Sequence, residues 1–146
     1  MLMTRILIAY STKSGAAREC AELLAAEIGD CIICDLKERT PEMTDTDIVI
    51  LGSGIRMGRA YKPFRKFIQD NEGALLTKKI AFFISNMQTE DLQKIIGKNV
   101  PERLRDAAFC VRTFGGRAPF GKKKNDPNWM LKDEVDAFVS AVKEIM

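Results

Sequence analysis

The sequence predicts an α/β fold, a doubly wound three-layer sandwich whose five-stranded parallel sheet has the order 2-1-3-4-5. Three observations carry this expectation. Five short, nearly continuous apolar runs are spread along 146 residues, as expected of strands covered on both faces. Segments with helical spacing separate them, and regular alternation of strand and helix builds parallel sheets. The first run also ends in hydroxyls, a lysine and a glycine before a helix opens, which makes a phosphate cradle.

The first strand is Ile6-Leu7-Ile8-Ala9-Tyr10, followed by the loop Ser11-Thr12-Lys13-Ser14-Gly15-Ala16-Ala17. A helix then runs to about Ile28, with Cys20, Leu23, Leu24 and Ile28 on one face. The second strand is Ile32 to Leu36. The polar, proline-containing stretch Lys37 to Thr46 is a loop or a single helical turn. The third strand, Ile48 to Leu51, gives way to Gly52-Ser53-Gly54-Ile55-Arg56-Met57-Gly58-Arg59-Ala60, read as a glycine-rich loop able to approach a flat ligand. A helix entered near Pro63 places Phe64, Phe67, Ile68 and Asn71 together.

The fourth strand is Ile80 to Ile84, with the loop Ser85-Asn86-Met87-Gln88 after it. Leu92 to Leu104 reads as two short helices broken at Gly97 and Pro101. The fifth strand is Ala107 to Val111, followed by Phe114-Gly115-Gly116-Arg117, and the last helix carries the stripe Leu131, Val135, Phe138, Val139, Val142. Residues 1–146 form one domain on this reading, since a chain of this length buries about 70% of its unfolded surface.

Composition narrows the chemistry. There is no histidine, so Ser-His and Cys-His catalysis is excluded and the commonest metal ligand is missing. Cys31-Ile32-Ile33-Cys34 has the form of a metal or redox pair, but residues three apart on a strand point to opposite faces. The four cysteines match no disulfide framework, the N-terminus lacks the apolar core of a signal peptide, and no membrane span is visible, so a cytoplasmic protein is expected.

A net charge of +3 hides segregation: Glu19 to Asp47 holds nine acids and two bases, whereas Ile48 to Gln69 holds five bases and no acid. Arg112 to Lys124 also holds five bases and no acid, and both basic stretches are expected to rim the ligand mouth. Nucleic-acid binding is set aside because no aromatics interleave with the one lysine run. A phospho-receiver lacks its acids, and the nucleoside triphosphatase motif is absent.

These loops resemble those of the flavodoxin family over essentially the whole chain. The stretch Asp47 to Gly58 together with Phe114-Gly115-Gly116-Arg117 resembles the flavodoxin-domain branch that includes menaquinone-dependent protoporphyrinogen dehydrogenase. The resemblance implies a flavodoxin-like sandwich, FMN as cofactor, and an oxidoreductase or electron carrier whose partner is a redox protein or a small anionic substrate. It implies that Ser11, Thr12 and Ser14, with amides from Lys13 through Gly15 and Ala16 to Ala17, hold the phosphate. It places the flavin ring between Ser53–Arg59 and Ser85–Gln88, with Gly54 and Ile55 near its reducible nitrogen and Gly115 and Gly116 beside it.

Two positions depart from the family pattern. Ala17 replaces a phosphate-binding hydroxyl, which implies weaker flavin affinity, and Met57 stands where many members stack an aromatic on the ring. The short polar segment Ala118 to Asn128 lacks the longer insertion of the porphyrin-oxidising branch, so no porphyrin substrate follows from the sequence. An electron shuttle and a cofactor-free interaction module stay open as alternatives.

Overall fold

The computed structural model describes residues 4–87, 89–117 and 127–146. In chain order its elements are β1 (Ile6–Ser11), α1 (Ala16–Ile28), β2 (Cys31–Asp35), β3 (Ile48–Arg56), β4 (Arg59–Ala60), α2 (Lys62–Asp70), α3 (Glu72–Leu75) and β5 (Lys79–Ser85). A single 3₁₀ turn (Thr89–Asp91) then leads into α4 (Leu92–Asn99), α5 (Glu102–Ala107), β6 (Cys110–Thr113) and α6 (Lys132–Ile145). The sheet order is β2-β1-β3-β5-β6, all parallel, with β4 paired antiparallel to β3. This is the predicted 2-1-3-4-5 winding with a two-residue hairpin strand added.

Alternation along each strand divides the core into two layers. Ile6, Ile8 and Tyr10 of β1 join Ile48, Ile50 and Phe83 under α1 and α6, while Leu7 and Ala9 join Val49, Leu51 and Phe82 under α2, α4 and α5. Helices therefore cover both faces. Cys34 belongs to the second layer and Cys31 packs against the first, so their sulfurs lie on opposite sides of the sheet. Burial pushes the Cys20 thiol up to about 12 and the Cys31 thiol up to about 11, so both stay protonated near neutral pH. No helix among the described residues is long and apolar enough to cross a membrane.

Three sequence expectations shift. The third strand does not stop at Leu51: it runs to Arg56, because β1 and β5 continue to pair with it through Ser53 and Gly54 and β4 folds back on its end. The helix expected to break at Gly97 continues to Asn99 and ends at the Val100-Pro101 step, where proline cannot extend it. The last strand starts at Cys110 rather than Ala107, since Ala107 completes α5 after Leu104 docks that short helix on the core.

The β3–β4 hairpin turns on Met57 and Gly58, with φ of +54° and +79°. Two successive positive φ values suit the right-handed twist of a two-residue hairpin, and Asn-Gly is the pair that favours them. Methionine is strained there by about 1 kcal/mol. Met57→Asn is therefore expected to stabilise the protein by about 0.5–1 kcal/mol. An unchanged midpoint of urea unfolding would refute that expectation.

Candidate functional site

The carboxyl ends of β1, β3, β5 and β6 carry a belt of buried hydroxyls: Ser11, Ser53, Ser85 and Thr113. In a doubly wound sheet, ligands bind beyond these ends where the winding reverses, here between β1 and β3. An open depression of 840 Å³ lies at the opposite, amino end, lined by Arg5, Asp45, Asp47 and Lys79 among others. Two of its acids are engaged by Arg5, Asp45 by the guanidinium at 3.6 Å and Asp47 by the backbone amide at 2.9 Å, and it is remote from the crossover loops. We place the candidate site at the carboxyl end.

The loop after β1 is locally organised. The Gly15 amide donates to Thr12 Oγ1 at 3.0 Å, the Ala16 amide donates to Ser14 Oγ at 3.4 Å, and Gly15 takes a left-handed φ of +91°. The N-cap residue Gly15 has no side chain to cap α1, so beyond Ala16 the first-turn amides keep their donors for a ligand. Lys13 and Ser14 are exposed, whereas Ser11, Ala16 and Ala17 are buried. The Ala17 methyl packs with Tyr10, Cys20 and Leu24 in the core, so this residue can offer only its backbone.

The loop expected after strand three is largely sheet. Ser53 is fully buried and its hydroxyl is committed internally, donating to the Gly54 carbonyl at 2.7 Å and accepting the Tyr61 amide at 3.2 Å. Ile55 is half-buried against the core, and Arg56 and Met57 are exposed, Met57 at 90%. Asn99 fixes the hairpin to α4: its amide nitrogen donates to the Gly58 carbonyl at 2.9 Å and its oxygen accepts the Ala60 amide at 2.9 Å.

Beyond β5, the Ser85 hydroxyl donates to the Gly115 carbonyl at 2.8 Å, tying two crossover loops together. Gly116 lies flat on the backbone of Asn86 and Met87, where a Cβ would come within 3.0 Å of it. Gly115 has φ +82°, and its missing side chain leaves room for the Trp129 carbonyl. Met87 is half exposed, and Gln88 lies outside the described residues.

Sequence reasoning missed Tyr61, Asn99 and Trp129, and it set Arg117 on the basic rim without its contact with the loop after β1. Tyr61 brings an aromatic ring beside these loops: a Cβ on Gly54 would lie 2.7 Å from its Cε2, and Lys13 Nζ lies 5.1 Å from its ring centre. Burial raises the Tyr61 hydroxyl pKa, partly opposed by Arg56. The only hint was its place just after the glycine-rich segment.

Among the described residues, some of the cations expected on the basic rim are engaged elsewhere. Arg112 pairs with Glu134 at 2.8 Å, Lys66 pairs with Asp70 at 2.9 Å along α2, and Arg65 donates to the Ala60 carbonyl at 3.0 Å. Lys13, Arg56, Arg59 and Lys62 are exposed and form no salt bridge among the described residues. Lys122, Lys123 and Lys124, like Phe120, lie outside the described residues.

Comparison with known proteins agrees with this geometry. Residues 7–120 match the flavodoxin domain profile. The chain is 28% identical over 95 residues to the protoporphyrinogen IX dehydrogenase (quinone) of Escherichia coli K12, covering 62% of this chain and 52% of that protein. It thus spans about half the length of the curated relatives it matches. Oxidised flavodoxin 2 from Bacillus cereus superposes with a TM-score of 0.65 at 21% identity, over 98% of this chain and 100% of the other. The FMN-bound flavodoxin of Fusobacterium nucleatum gives 0.62 at 12% identity, over 99% of both chains. These likenesses establish the fold.

Proposed function

Because this chain belongs to the flavodoxin family, we propose that it binds FMN at the carboxyl ends of β1, β3, β5 and β6 and transfers electrons through it. One observation carries the reading: a helix N-terminus with no side chain at its N-cap residue, a hydroxyl-bearing loop and two loops in backbone contact lie together at the carboxyl end of the sheet. The residues fit the group. First-turn amides of α1, with Thr12 and Ser14, suit a phosphate dianion, and Lys13 adds charge beside them. Gly54, Ile55, Asn86, Gly115 and Gly116 offer backbone and amide groups to a polar heterocycle, and Tyr61 offers an aromatic wall.

When bound, the flavin supplies the redox chemistry, and the protein need only position it, set its electrostatics and control access. A chain without histidine can serve that role, because electron transfer demands no dedicated general base. The exposed cations Lys13, Arg56, Arg59 and Lys62, which form no salt bridge among the described residues, favour a small anionic substrate or an acidic redox protein as partner. An electron shuttle uses the same surface to dock its partner. Four free thiols suit a reducing cytoplasm.

The relative's name includes a porphyrinogen and a quinone, and its greater length leaves those substrates outside what this chain by itself supports. The test is the visible absorption spectrum of the purified protein, recorded after adding FMN and removing the excess. Retained flavin bands are the expected result. No retained flavin at saturating FMN would overturn the proposal and leave a cofactor-free interaction module.

A further inference from the structure

Arg117 follows the glycine pair after β6, yet its guanidinium lies on the loop after β1. One nitrogen donates to the Ser14 carbonyl at 3.3 Å, and the same atom lies 3.8 Å from where a Cβ on Gly15 would be. The guanidinium forms an ion pair with Glu19 in the first turn of α1, and its carbon sits 5.3 Å from the centre of the Trp129 ring. Three elements thus hold one cation against the loop proposed to take the phosphate. Arg117 and Lys13 both lie by this loop, while Arg18 in the first turn of α1 pairs with Glu22, and Arg117 is held in direction by its bond to the Ser14 carbonyl.

We propose that Arg117 is the residue that selects a phosphorylated flavin over its unphosphorylated form, with Glu19 opposing it. This inference rests on the flavin reading above. The Glu19 carboxylate in the first turn of α1 competes with a phosphate for the same guanidinium and the same favourable end of the helix dipole. A dianion entering the loop takes a share of the Arg117 donors from Glu19, while stacking on Trp129 keeps the guanidinium plane in place. A neutral flavin lacking the phosphate makes none of these exchanges, so its affinity is indifferent to both residues.

The test measures the affinities of FMN and riboflavin at low ionic strength, by equilibrium dialysis read at the visible flavin band, for wild type, Arg117→Gln and Glu19→Gln. Loss of a charge-assisted hydrogen bond is expected to weaken FMN by about tenfold to a hundredfold in Arg117→Gln. Riboflavin affinity stays unchanged. Glu19→Gln frees the guanidinium and is expected to tighten FMN, again with riboflavin unchanged. Opposite signs separate selection from a structural latch, because both variants break the same ion pair.

Should both variants weaken FMN, or should Arg117→Gln lower both flavins equally, Arg117 only ties the loops together and the proposal fails while the flavin reading stands. If wild type retains neither flavin, the functional reading fails and this one with it.

Discussion

Replacing Gly52 with alanine is expected to destabilise the protein by about 3 kcal/mol or more, the upper end of what overpacking costs. A Cβ on this strand residue would fall inside the Phe83 ring. That ring has nowhere to go: it is fully buried, stacked on Phe114 at 5.1 Å and edge-on to Phe138 at 6.3 Å. Phe114 and Phe138 are themselves in contact at 5.4 Å, so a shift in one ring displaces all three. For a chain of this size the loss corresponds to a melting temperature lower by about 6–12 °C. Thermal unfolding followed by circular dichroism measures it. Phe83→Leu in the Gly52→Ala background should recover part of the loss, and an alanine variant melting within about 2 °C of wild type would contradict the packing account.

Ser14→Glu should do the reverse, leaving the fold intact and removing the flavin. Ser14 is exposed and lies two residues before α1, so a carboxylate there meets no steric obstacle and interacts favourably with the helix N-terminus. Stability should be unchanged or slightly raised. A phosphate dianion about 5 Å from that carboxylate is repelled by about 2 kcal/mol even at the dielectric constant of water. FMN affinity should therefore fall by about thirtyfold or more. Riboflavin serves as the control, since it carries no phosphate to repel. Equal affinity of the variant and wild type for FMN would remove the loop after β1 from the site.

Much of the fold was legible because it is written in local periods. The runs at Ile6, Ile48 and Ile80 read as strands, and the stripes Leu24–Ile28 and Val135–Val142 read as helix faces, because period and burial coincide there. The loop Ser11 to Ala17 was legible for the same reason: its hydrogen bonds join residues two or three apart. Tyr61 escaped notice because its contact with Gly54 needs the β3–β4 hairpin to fold back first. Arg117 was legible as a rim cation, but its contact with Ser14 was not, because it spans 103 positions.

By itself, then, the sequence determined the winding of the sheet, its five parallel strands, the loops at their carboxyl ends and the absence of histidine chemistry. Only the tertiary structure decided which glycines are turns and which are close approaches: Gly58 bends a hairpin, while Gly52 lies in a strand to make room for a phenyl ring. It also decided which cations are free, since Arg112, Lys66 and Arg117 meet acids while Lys13, Arg56, Arg59 and Lys62 meet none among the described residues. The physical reason is range. Periodicity reports a residue's neighbours along the chain, whereas packing clearance and charge pairing depend on neighbours brought together in space.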